Sequence, residues 1–254
     1  MVFLLIRFLP FVLPIVYWLM LMATNYDVGY WQIFLAVICI ADLVYFLLLY
    51  LRTKKYPVIW LFLHSWIFVC SGWFFILILD KPLLLQVFAV IWSAVYFVYL
   101  ESVFHHFYET EKVSIIDLNH IIGYANFAIF FLTLSCLFNV FIFLDLKWWW
   151  FLAIAILVSF VLLFSQMLIA KMPSRKAFLS SVWLMIILTE IVAGFMILPI
   201  SFYVSAFVGA LSFYFFVSLF LLAKDEKIKK QTIWQYAIFS GLVLILVLAT
   251  TVWF

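Results

Sequence analysis

Long apolar runs separated by short polar breaks make up nearly all of this chain. Read between charged or turn-forming residues, the runs fall at 3–23, 31–51, 58–79, 83–103, 119–144, 148–170, 177–198, 201–223 and 233–253. Each is close to the about 20 residues an α-helix needs to cross the hydrocarbon core of a bilayer. The pattern predicts an all-α, polytopic membrane bundle of about nine spans, with eight possible, forming one transmembrane domain over 1–254. The eight-span alternative arises because only Leu198, Pro199 and Ile200 separate the seventh run from the eighth. These two runs form either a tight hairpin or one long kinked segment. The first run is too long for a signal peptide and has no small-residue cleavage site. It reads as a retained span, bent near Pro10 and Pro14, where the amide hydrogens are missing.

Composition agrees with the pattern. Of the 254 residues, 71% are hydrophobic and 10% charged, against about 25% charged in ordinary soluble domains. No room is left for a soluble domain of even about 50 residues. The three cysteines, Cys39, Cys70 and Cys136, lie inside apolar runs without a CxxC spacing and read as small buried hydrophobes.

Charge sets an orientation. Twelve of the fourteen Lys and Arg residues fall on one side. They are Arg7; Arg52, Lys54 and Lys55; Lys112; Lys171, Arg175 and Lys176; and Lys224, Lys227, Lys229 and Lys230. The alternate loops hold only Lys81 and Lys147, beside Asp27, Asp80 and Asp145. By the positive-inside rule the rich loops, and with them the N-terminus, are cytoplasmic. A prokaryotic-type plasma (inner) membrane fits this arrangement. The net charge of +3 therefore reflects orientation and is not a nucleic-acid signal. Trp148, Trp149 and Trp150 open the sixth run at the outer interface, where indoles settle.

Glycine is scarce, at six residues, and no second half repeats the paired prolines of the first run. Both facts weigh against a carrier built on discontinuous helices. Ser201, Ser205 and Gly209 form a small-residue stripe at four-residue spacing, which suits close approach of another helix.

Ionisable groups inside spans are costly unless paired, neutralised or facing water. Two carboxyls qualify. Asp42 lies about eleven residues from the outer end of its run and Glu190 about eight, a depth difference of about 5 Å. No Lys or Arg lies at that depth, and desolvation favours the neutral form of such a carboxyl. One reading makes them a proton- or cation-handling pair. The other makes them neutral acids hydrogen-bonded to backbone carbonyls or to Tyr45, Ser181 or Thr189.

A denser constellation runs ESVFHHFYETEKVSIIDLNH from the fourth run into the fifth. Glu101, His105 and Glu109 share a face if the helix continues. His106 and Glu109, and Asp117 and His120, form i,i+3 pairs. His64 is placed in the same leaflet by the topology, so all four histidines cluster there. His64, His105, His106 and His120, with Asp117 or Glu101, supply the imidazoles and carboxylates that suit Zn or Fe. A remaining carboxylate would then serve as general base on bound water, acting on a lipid-like substrate at the cytoplasmic leaflet. Against that, HExxH is absent, and the same residues suit an ordinary interfacial loop.

Three functions stay open. A non-catalytic subunit or scaffold, partnered by the lipid bilayer and by other membrane subunits, stands slightly ahead. A metal-dependent enzyme at the histidine cluster and a proton- or cation-coupled carrier or channel at Asp42 and Glu190 follow. They differ in which helices must be neighbours.

Overall fold

The computed structural model describes residues 2–26, 28–108, 118–198 and 201–224, together with positions 234, 238, 241 and 245; for 2–5, 25, 26, 28 and 224 it describes the backbone alone. Among the described residues there is no strand. Eight α-helices follow one another: α1 (Val2–Tyr26), α2 (Trp31–Thr53), α3 (Pro57–Ile76), α4 (Pro82–Tyr108), α5 (Leu118–Phe143), α6 (Trp148–Ile169), α7 (Ser174–Phe195) and α8 (Phe202–Lys224). All eight are long and apolar enough to cross a bilayer. The protein is a multi-pass integral membrane protein.

The seventh and eighth apolar runs are two separate helices, α7 and α8, packed on one another. Apart from four isolated positions, the run at 233–253 lies outside the described residues. Helix α1 continues through both Pro10 and Pro14. Other ends follow local chemistry. Lys54 closes α2 in the left-handed conformation (φ 52°), donating its amide to the Tyr50 carbonyl at 2.7 Å. Pro57 then opens α3, where its missing amide hydrogen costs nothing.

The chain gathers into two compact units, residues 1–125 and 126–254, with the boundary inside α5. In the first unit α1 lies along α4 and α2, and α3 packs on α2 and α4. Each helix here is apolar outward and more polar inward, the inverse of a soluble bundle. Helix α2 exposes Ile33, Val37, Ile40, Val44, Leu47 and Leu51, and buries Ile38, Cys39, Asp42, Tyr45, Phe46 and Leu49. Lipid solvates the first set as well as a protein core would, so the helix turns its polar groups toward its neighbours, where they find hydrogen bonds.

Gly72 shows how close those neighbours come. A Cβ there would run into the indole of Trp92 on α4 and stand 2.7 Å from the Tyr17 hydroxyl on α1. The Trp92 ring in turn stacks on Phe68, with centroids 4.2 Å apart.

In the second unit α6 lies along α7. Phe138 of α5 meets Phe151 of α6, and Phe130 of α5 meets Phe213 of α8. Asn126 Nδ2 donates to Gln166 Oε1 at 2.7 Å, joining α5 to α6. Ser201, just ahead of α8, is half-buried, and Ser205 on α8 is buried. A Cβ at Gly209 would stand 2.7 Å from Leu134 Cδ1 on α5 and 3.8 Å from Val192 Cγ2 on α7.

Candidate functional site

The polar heart of the first unit is built on Asp42. The residue sits midway along α2, on its inward face, and is completely enclosed. Its Oδ1 accepts two hydroxyl hydrogen bonds, from Tyr96 of α4 at 2.7 Å and from Ser65 of α3 at 3.1 Å. Three helices thus converge on one carboxyl oxygen. The other oxygen, Oδ2, is equally buried and has no hydrogen-bond partner. An unpaired buried acceptor costs about 1–3 kcal/mol, and more if it is charged. Among the described residues no Lys, Arg or His forms an ion pair with Asp42.

The register of α3 and α4 extends this cluster. Ser65 is preceded by His64, and Tyr96 lies one turn before Tyr99. His64 is fully buried, stacks on the Tyr99 ring with centroids 5.1 Å apart, and brings Nδ1 within 3.1 Å of the Tyr99 hydroxyl. That hydroxyl donates to the Leu61 carbonyl at 3.1 Å. With its single hydrogen so used, Tyr99 accepts from His64, which places the imidazole proton on Nδ1. Phe68 stacks against both Tyr96 and Tyr99 and holds the two phenols in line. Tyr45 donates to the Leu100 carbonyl at 3.3 Å, and Tyr17 to the Val69 carbonyl at 2.9 Å.

Toward the C-terminal end of α4 stands a second polar group. Helix α4 continues to Tyr108, so Glu101 and His105 share a face, and Glu101 Oε1 lies 3.0 Å from His105 Nε2. The same oxygen receives the Arg7 guanidinium of α1 at 2.5 Å. Arg7 also covers the faces of Phe11 and Phe104, at 5.4 and 4.9 Å from the ring centroids. Cation–π contact of this kind favours a partly desolvated guanidinium.

No known protein-family model, curated protein or solved structure matches this chain.

The residues singled out from the sequence separate into groups. Asp42 is enclosed in the first unit, whereas Glu190 is exposed on α7 of the second. Thr189 donates to the Met185 carbonyl of its own helix, and Tyr45 to Leu100. Of the metal-donor candidates, His64 is engaged with Tyr99, His105 with Glu101, and His120 is exposed on α5. His106 is half-buried beside Phe107. Asp117 and Glu109 lie outside the described residues. Among the described residues, no group of three His, Cys, Asp or Glu side chains is gathered as one metal ion would require.

Four residues of the site carried no signal as single letters: Ser65, Tyr96, Tyr99 and Arg7. Ser and Tyr are common in apolar helices, and Arg7 was accounted for by orientation. One clue to Arg7 existed. It stands near the start of the first span, and Glu101 near the same side in the fourth, so topology alone puts the two charges at similar depth.

Proposed function

We propose that this is a proton-coupled membrane protein, a carrier or channel, in which Asp42 is the group that binds and releases the proton. The observation that carries this reading is the asymmetry of the carboxyl: two hydroxyl donors on Oδ1 and no partner on Oδ2, within a fully enclosed core. Ser65 and Tyr96 stabilise the carboxylate by donating to it. The open valence on Oδ2 is where a proton is taken up. Placing a carboxyl midway along an apolar helix costs about 2.5–3.5 kcal/mol on insertion scales, a cost that three converging helices reduce but do not remove. In this reading the basic loops face the cytoplasm of a prokaryotic plasma membrane, and the Arg7–Glu101–His105 group lies toward that side.

The same capping favours a second reading, a non-catalytic subunit or scaffold. The Asp42–Ser65–Tyr96 contact would then serve only to lock α2, α3 and α4 in register, as buried polar contacts do in coiled coils.

Infrared difference spectroscopy of the full-length protein in liposomes, stepped across pH, separates the two. Proton binding requires a protonated-carboxyl stretching band that comes and goes with pH and is missing in Asp42→Asn. The amide preserves an acceptor for Ser65 and Tyr96, so the variant keeps the fold. A spectrum with no pH-dependent band assignable to Asp42 overturns the proton reading and leaves the scaffold.

A further inference from the structure

We propose that Cys39 and Cys70 are a redox pair, which closes to a disulfide across the α2–α3 seam by exchange with a small neutral disulfide dissolved in the bilayer. The chain has three cysteines and no CxxC spacing, so any pairing must be made between helices. Contacts along α2 and α3 set an antiparallel register. Phe46 meets Phe62, Asp42 accepts from Ser65, and Trp31 meets Phe74. Cys39 lies between Trp31 and Asp42 on α2, and Cys70 between Ser65 and Phe74 on α3. The register therefore brings the two together, and their thiols stand within hydrogen-bonding reach of each other. Both are free thiols in this structure.

Access and charge decide the chemistry. Cys39 is buried and Cys70 half-buried. Cys70 shares a four-residue row of α3 with Trp66 and Phe74, both exposed, and Ile40 beside Cys39 is exposed as well. The thiols thus sit just under a face that lipid covers, with Cys70 the nearer to it. Cys39 is eight residues, about 12 Å, from the start of α2, and Cys70 six residues, about 9 Å, from the end of α3. A reagent must come through hydrocarbon to reach that depth, which selects a neutral one. A soft metal ion would need two thiolates, and among the described residues no third donor joins them. A disulfide leaves no charge in the lipid. In the exchange, the Cys70 sulfur attacks one sulfur of R–S–S–R, that S–S bond breaks, and the first R–SH leaves with the thiol's proton. The Cys39 sulfur then displaces the second R–SH from the mixed disulfide in the same way. Two protein thiols are oxidised to one disulfide, and one small disulfide is reduced to two thiols. Asp42 is three residues from Cys39 on the same helix, so the bond ties α2 to α3 beside the Ser65–Asp42 contact.

The test treats full-length Cys136→Ala protein in liposomes with dithiodipyridine, a neutral aromatic disulfide whose reduction releases coloured thiopyridone. Two thiopyridones per protein are expected, with the intact mass lower by two hydrogens and no pyridyl group retained. The unfolding midpoint should rise, as a crosslink constrains the unfolded chain, and fall back on reduction. Adding Cys39→Ser should cut the release to one thiopyridone and leave one pyridyl group on Cys70. Pyridyl groups retained on both cysteines would show thiols too far apart to close. Disulfide-linked dimers on a non-reducing gel would place the bond between copies. Release only after unfolding would show thiols sealed from the bilayer. Each of these three results overturns the proposal. None bears on the Asp42 band, so the two readings stand or fall separately.

Discussion

At the scale of single residues, the chemistry of the first unit turns on which donors face one carboxyl oxygen. Tyr96 supplies the shorter of the two hydrogen bonds to Asp42, at 2.7 Å. A hydrogen bond to a charged acceptor contributes about 1.5–3 kcal/mol, and one to a neutral acceptor about 0.5–1.5. If Asp42 titrates, Tyr96→Phe should therefore destabilise the protein more at alkaline pH, where the carboxylate is present, than at acid pH. Unfolding in mixed micelles at several pH values measures the difference. A loss independent of pH would mean that Asp42 keeps one protonation state throughout. Asp42 and Glu190 look alike as letters in apolar runs. One is enclosed by three helices and the other exposed on α7, a contrast that no property of either residue alone could produce.

At the scale of elements, several turns are made without glycine. Lys54, Asp145 and Lys171 all take positive φ, at 52°, 50° and 58°. A side chain in this conformation costs about 1–2 kcal/mol relative to the right-handed helix, and glycine would relieve most of it. At Lys171 the turn is completed by Met172, whose amide donates to the Met167 carbonyl at 3.2 Å. Lys171→Gly should raise stability by up to about 1 kcal/mol, read as a higher unfolding midpoint in the same micelles; a lower midpoint would show that the lysine makes a compensating contact. The helices themselves were legible from hydropathy, because each must satisfy its own backbone in lipid. Their ends were less so: the fourth span runs on to Tyr108, since His105 and Glu101 support another turn that hydropathy does not see.

At the scale of the whole molecule, the expected orientation rests on the loop charges. Arg52, Lys54, Lys55, Lys171, Arg175 and Lys176 lie in connections or in the helix turns beside them on one side if the described helices cross in succession, and Lys81 and Lys147 in connections on the other. Single cysteines introduced at Asp80 and Asp145, in a background lacking Cys39, Cys70 and Cys136, should react with an impermeant maleimide added to intact cells. Cysteines at Lys54 and Lys171 should react only after permeabilisation. The reverse pattern would invert the orientation expected from the loop charges.

What the sequence determined by itself is whatever depends on one segment meeting lipid: helical spans, their approximate limits, and the anomaly of a carboxyl at Asp42. Each of these is a local transfer problem, solved by the side chains of a single run. What only the tertiary structure decided is partnership. That Tyr96 and Ser65 share an oxygen of Asp42, that Arg7 reaches Glu101, that His64 is engaged by Tyr99, and that Cys39 meets Cys70 all depend on which helices are neighbours and how they are rotated. Hydropathy carries no information about either, because lipid solvates every outward face equally well. The choice is left to close packing and to a few hydrogen bonds between helices.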